Sequence, residues 1–461
     1  MRAQSFGRLG RAWPAAAVVL GAVCAVLMGA RVFELRLGDT GTHLLILCVL
    51  LALLALSILL IKWEGYSAAA LLLMVLPVAL ALLVRTLCLD HISEDYTMFL
   101  ADWAAFFRDN GGFSAIAMDV GDYNVSYLYF IAAISYLDVP DLYLYKLFSI
   151  LFDVLLAWGG LRLVRVLRGD RQGDTMPLIA FGALLFLPTV VLNGAYWGQC
   201  DAIYGALVVH GVAHALDNRP KSSLVLVALA FSFKLQTVFV LPLWGALWLA
   251  GRIRFRELWL FPLTYVGTIL PALGLGKPLW DILRVYFDQM GQYPRLTLNA
   301  PSVFQFIPYG MEVNDGLLSR LGIGAAALLV TVLLMIALGK RQTLNREAYM
   351  AMAVVLAIGV PFFLPHMHER YFFLADVLTL CWASTRGSRF GVFVLAAGSS
   401  LASYMVYLRL EYNWVVSLFG LRFVMGAETL AMLVALIWAI LLLVLELNNS
   451  KVNLINRRTE L

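Results

Sequence analysis

Apolar runs of about 15 to 23 residues recur along the whole chain, each closed by a charged or turn-rich break, and a helix needs about 20 such residues to cross hydrocarbon. The first run starts near Trp13, behind Arg2, Arg8 and Arg11, and continues to about Ala30. It outlasts a signal-peptide core and reads as an uncleaved first helix. A second run returns over residues 42–61 with Lys62 behind it, and a third covers residues 67–88. Residues 89–145 then form a long polar and aromatic segment, in which Tyr127 to Leu137 is half apolar and too short to span, so it is placed at the interface. From residue 146 to 446 the apolar runs resume as a helical core, and residues 447–461 form a polar tail.

The basic breaks fix a sidedness. With Arg2, Arg8 and Arg11 assigned to the cytoplasm, alternation puts five further sets on the same side. They are Arg162 to Arg171, Arg219 with Lys221, Arg252 to Arg256, Lys340 to Arg346, and Arg386 with Arg389; Arg457 and Arg458 follow at the end. The chain is therefore predicted to be all-α, a single polytopic helical membrane domain of about 14 transmembrane helices with both termini cytoplasmic. Ser222 to Ala250 is read as two short helices meeting near Lys234 and Gln236. Promoting Tyr127 to Leu137 to a full span would push the Arg162 to Arg171 cluster outside or force another break. The halves share neither helix lengths nor motifs, which argues against an inverted-repeat transporter.

Composition points the same way: the chain is 62% hydrophobic and 14% charged, where soluble domains carry about a quarter charged residues. The net charge of +5 is dispersed in short clusters that report topology, so no nucleic-acid partner is expected. Cys24, Cys48, Cys88, Cys200 and Cys381 are scattered without C-x-x-C spacing and read as small core residues.

Nearly every unusual polar motif falls on the opposite, outer side. Ser93-Glu94-Asp95-Tyr96 follows the third helix, with Phe99, Leu100, Asp102 and Trp103 continuing as an amphipathic helix. Ser93 or Asp95 suits an N-cap as well as a site, and Asp102 suits a wet surface. Gly121-Asp122-Tyr123-Asn124, ahead of Tyr127 and Tyr129, fits a turn with an interfacial belt and equally a saccharide platform; Asn124-Val125-Ser126 is also a sequon. Tyr196-Trp197-Gly198-Gln199-Cys200-Asp201 closes a hairpin, where Asp201 either caps a helix or binds hydroxyls. Lys234 either snorkels or meets a phosphate beside Gln236. His366-Met367-His368-Glu369-Arg370-Tyr371 packs ionisable groups between apolar runs, a placement that is costly without a partner or ligand. Its H-x-H-E spacing does not put two imidazoles on one helix face, so no metal is expected; Arg370 with the histidines suits an anion instead. The loop Lys277 to Gln305, with Tyr293-Pro294-Arg295 and Asn299, lacks a strong apolar run and reads as mobile or functional.

In their order and shared sidedness, these motifs, together with Leu298-Asn299-Ala300-Pro301 and Phe233-Lys234-Leu235-Gln236, resemble the GT-C class of membrane glycosyltransferases. The resemblance covers about Ser93 to Asp376. It is to the bacterial mannosyltransferases related to the second GPI-anchor mannosyltransferase and, more distantly, to the dolichyl-phosphate-glucose glucosyltransferases. It implies an inverting transfer of a hexose, glucose or mannose, from a polyprenyl-phosphate sugar to a glycan or glycolipid acceptor at the outer face, with residues 89–145 as catalytic loop and no cofactor. Asp95 occupies the position of the general base. Lys234, His366, His368 and Arg370 are expected to hold the donor phosphate. Tyr96, Asp102, Trp103, Asp122, Tyr123, Gln199, Asp201 and Glu369 are expected to meet sugar or acceptor. The chain departs from the pattern in the additional helices of residues 1–88 and in Asp102, a second carboxylate that competes for the base role. The reading places the protein in a bacterial inner membrane. A lipid-linked sugar flippase, or a polymerase or ligase of preassembled glycans, would share the outer polar site.

Overall fold

The computed structural model describes the backbone of residues 8–171, 173–290, 295–307, 311–410 and 413–459, and the side chains of all these except 8–12, 290, 413 and 449–459. Among the described residues, eight helices are long and apolar enough to cross a membrane, and up to ten if each of two bent pairs counts as one span. The protein is a helical, multi-pass membrane protein. Leu328 and Met335 on Asp315–Gly339 are 65% and 62% exposed, as lipid-facing side chains must be.

The chain divides into two compact units. The first comprises residues 1–112, 131–158 and 181–203. It contains the spans Arg8–Phe33, Thr40–Trp63 and Ala68–Leu87, the second started by Asp39, whose carboxylate accepts from the Thr42 N–H at 2.8 Å. Inside this unit the Arg85 Nε meets Asp153 at 2.8 Å, both side chains fully buried, and Arg85 also donates to the Leu185 carbonyl at 2.8 Å. Lys146 Nζ donates to the carbonyls of Cys88, Leu89 and His91 at 2.8, 3.1 and 2.6 Å. That ammonium satisfies the carbonyls left open where the third span ends.

The second unit comprises residues 113–130, 159–180 and 204–461. Its most enclosed span is Arg346–Phe363, whose apolar window is 83% buried, against 22% for Asp315–Gly339. One end carries buried Arg389, which meets Glu347 at 2.6 Å and Glu446 at 3.1 Å. The other end leads into the His366 turn. The expected break near Lys234 is present: Pro220–Phe233 stops there, Lys234 is extended (φ −151°), and the 3-10 turn Leu235–Phe239 leads to Pro242–Leu249.

The loop expected from Lys277 to Gln305 holds instead a helix, Leu279–Met290, turned by 119° from the preceding segment Phe255–Gly274. Its apolar positions recur at helical spacing but are too few to span, so a search for long apolar runs passes over it. Tyr293 and Pro294 lie outside the described residues. Of the segment Tyr127 to Leu137, the part up to Ile134 lies in the short helix Val125–Ile134. All five cysteines are free; Cys24, Cys200 and Cys381 are buried as core residues, whereas Cys48 is exposed and Cys88 half-buried.

Candidate functional site

In the first unit, the chain leaves the third span and reaches Asp95 just before a π-helical turn, Tyr96–Leu100. A second π-helical segment, Leu192–Trp197, carries the facing hairpin. Such wide turns re-aim side chains and recur at functional sites. The Asp95 Oδ2 accepts from the Trp197 indole Nε1 at 3.0 Å and from the Gln199 amide nitrogen. Ser93 Oγ donates to the Trp197 carbonyl at 2.7 Å and accepts from the Tyr96 N–H at 3.2 Å. The cap therefore belongs to Ser93, and the Asp95 carboxylate makes no cap bond. Asp95 is half-buried, while Asp102 is exposed on the next helix. Trp103 packs on Phe99 at 6.1 Å, and burial, with Asp141 behind it, raises the pKa of the half-buried Tyr96 phenol.

The hairpin is locked from beneath. Gly198 takes φ +84°, a left-handed conformation that turns the chain between Trp197 and Gln199. Asn193 accepts the Gln199 N–H at 2.8 Å through its carbonyl and donates through its side-chain amide to Asp201 Oδ2 at 2.7 Å. Ser149 Oγ donates to the Gln199 carbonyl at 2.7 Å. Asp201 is 0% exposed, so its carboxylate heads the helix Asp201–Leu216 and braces the turn from inside. Sequence reading missed Asn193 and Ser149, which sit among apolar residues and serve backbone and carboxylate groups brought near only by folding. Their one signal was being polar in an apolar run. His91 stacks on Tyr196 at 3.6 Å, and burial, then Lys146, lower its pKa to about 4.

In the second unit, the His366 to Tyr371 motif is an extended turn. Met367–His368 pairs in parallel with Thr297–Leu298, and Asn299 bridges His368. The His366 N–H donates to the Leu296 carbonyl at 2.8 Å and its Nδ1 meets the Arg295 carbonyl at 2.7 Å. Nδ1 must then carry the proton, and a neutral ring leaves Nε2 only as an acceptor. His366 thus ties the two loop segments together, and its ring can offer an N–H to an anion only when charged. His366 (φ +63°) and Asn299 (φ +57°) are both left-handed.

Glu369 is 1% exposed, with its Oε1 3.8 Å from Arg370 Nη1 and 4.0 Å from His368 Nδ1. The His368 ring lies 5.2 Å from that of Tyr371, and the Arg370 guanidinium 5.9 Å from the same ring. Burial, then the charges of Arg370 and Lys234, push the His368 pKa down to about 2. Lys234 is thereby placed within electrostatic reach of His368, and its ammonium sits 5.8 Å over the Tyr123 ring. The neighbouring Gln236 is 7% exposed, and its Oε1 has no hydrogen-bond partner among the described residues. Lys234 and Arg370, gathered with a neutral imidazole and the buried Glu369, offer charged donors of the kind that hold an anion.

Asp122 and Tyr123 lie in this second unit at the edge of a cavity of about 240 Å³, beside the Lys234 cluster. Two groupings therefore emerge: Asp95, Trp197 and Gln199 in one unit, and Lys234, His368, Glu369, Arg370 and Tyr123 in the other. No protein-family model matches the chain, and no curated protein matches it.

Proposed function

We propose that this chain is an inverting, polyprenyl-phosphate-sugar-dependent hexosyltransferase of the GT-C type. It crosses the bacterial inner membrane about 14 times, with both termini cytoplasmic and its chemistry at the outer face. The observation that carries the reading is the treatment of Asp95: one carboxylate oxygen accepts from an indole N–H and an amide N–H, while Asp102 stands exposed. Two fixed donors on Oδ2 orient the carboxylate as the base that takes a proton from an acceptor hydroxyl.

The step balances simply. The acceptor oxygen attacks the anomeric carbon, its proton passes to Asp95, and the sugar–phosphate C–O bond breaks with its electron pair leaving on the lipid phosphate. Lys234 and Arg370 stabilise that dianion, with His368 supplying an N–H as a neutral ring. Glu369 holds Arg370 and His368 in register. A phosphate leaves without a general acid, so one base suffices.

The test uses purified full-length protein in nanodiscs supplied with a polyprenyl-phosphate hexose, and separately with a lipid-diphosphate oligosaccharide. Asp95→Asn is expected to lose at least 1,000-fold in kcat with donor binding intact. Arg370→Ala is expected to weaken donor binding by about 10- to 100-fold, the worth of a charge-assisted contact. Activity surviving in Asp95→Asn, or consumption of only the oligosaccharide, overturns the assignment.

A further inference from the structure

The helix Leu279–Met290 has two unlike sides. Leu279, Trp280, Leu283 and Phe287 share one side and are 49%, 69%, 37% and 68% exposed. On the opposite side, Asp281, Arg284, Asp288 and Gln289 line the cavity of about 240 Å³. Ile282 and Tyr286, between the two, are buried in the unit, Tyr286 through a hydrogen bond to the Phe231 carbonyl and a ring contact at 5.0 Å. The helix follows the apolar segment Phe255–Gly274 and is turned by 119° from it; with that segment along the bilayer normal, Leu279–Met290 lies nearer the membrane plane than the normal. An exposed apolar stripe on such a helix enters the acyl boundary. Its polar side, and the cavity beneath, then lie at headgroup height.

The remaining walls come from Asp119, Asp122, Tyr123 and Lys277. They are held in place: Lys277 Nζ donates to the Met118 carbonyl at 2.8 Å and Gln289 donates to the Asp122 carbonyl. Four carboxylates face two cations in this lining, so it repels a phosphate. Arg284 lies 3.6 Å from both Asp281 and Asp288, an internal brace that keeps the carboxylates apart and oriented. The volume is below the ~300 Å³ at which drug-sized pockets begin, which suits a single ring. Carboxylate acceptors, a few fixed donors and one aromatic face are the groups that recognise vicinal hydroxyls.

We infer that this cavity binds the hexopyranose ring of a lipid-anchored substrate, the sugar held at headgroup height while its lipid stays in the bilayer beside the apolar side of Leu279–Met290. The inference rests on the transferase reading for its choice of ligand. Tyr123 joins the two sites: it lines the cavity and carries the Lys234 ammonium over its ring.

The test reads binding without turnover. Methyl α-glucopyranoside and methyl α-mannopyranoside are titrated against the full chain in nanodiscs and followed by saturation-transfer NMR. At least one is expected to bind, and Asp122→Asn and Asp288→Asn are each expected to weaken it about 10-fold. Asp119 is exposed, so Asp119→Trp fills the mouth at little risk to folding and is expected to abolish the signal. Displacement of the bound hexoside by excess polyprenyl-phosphate hexose assigns the ring to the donor, and simultaneous binding assigns it to the acceptor; either supports the inference. Equal binding to wild type and all three variants, or displacement by inorganic phosphate alone, overturns it. Loss of hexoside binding in the variants of a protein that consumes no polyprenyl-phosphate hexose keeps the cavity and removes the transferase reading. Wild-type hexoside binding in an active Asp119→Trp does the reverse.

Discussion

Asp95 and Asp102 are two carboxylates of one short stretch, and their surroundings separate them. Asp95 receives two N–H donors on one oxygen, whereas Asp102 faces solvent. Trp197→Phe removes one donor while keeping an aromatic ring, though a smaller one, and is expected to lower kcat about 10- to 100-fold with donor KM unchanged, read from initial rates. Asp102→Asn is expected to stay near wild-type turnover. His368 makes a pH prediction of definite sign. Its folded pKa lies near 2 and its ordinary value at 6.5, so between these limits the unfolded chain binds the extra proton. Stability contributed by the neutral ring is present above pH 6.5 and drains away as pH falls below it, on the order of 1 kcal/mol per pH unit. Thermal unfolding from pH 7.5 to 5.0 checks this: the loss should be smaller in His368→Gln. At this scale the sequence disclosed the charged and aromatic members, because such residues stand out against apolar runs. It concealed Asn193 and Ser149, and the carbonyl partner of His366, because those contacts depend on chain segments that meet only in the fold.

Elements were legible where length or chemistry marked them. The break at Lys234 and the short helix after Asn124 follow from a charge or turn interrupting an apolar run. Leu279–Met290 was not legible as an element, because its apolar positions are interleaved with Asp281, Arg284, Asp288 and Gln289 over only 12 residues and form no long apolar run. The Trp197 hairpin depends on Gly198, whose φ of +84° costs an L-residue about 1–2 kcal/mol. No atom would meet a Cβ there, so strain is the whole penalty. Gly198→Ala is therefore expected to fold, with turnover lost more than stability as Trp197 and Gln199 shift from Asp95; paired activity and melting measurements check it.

For the molecule as a whole, hydropathy and basic breaks announced a multi-pass helical protein, while buried ion pairs between distant segments were invisible to them. Arg85 and Asp153 form such a pair in the first unit. Arg85→Met is expected to cost about 3–5 kcal/mol by stranding a charge, and Asp153→Leu added to it should restore most of the loss, measured by denaturant or thermal unfolding in micelles. In the second unit, Arg346–Phe363 is wrapped by protein along its length, tied at one end by Arg389 between Glu347 and Glu446, and leads at the other into the turn bearing His368 and Arg370. Acyl chains have little surface of this helix to press upon. Thinning or thickening the surrounding bilayer should then tilt peripheral spans such as Asp315–Gly339 while leaving unaltered the anion affinity proposed for Lys234 and Arg370.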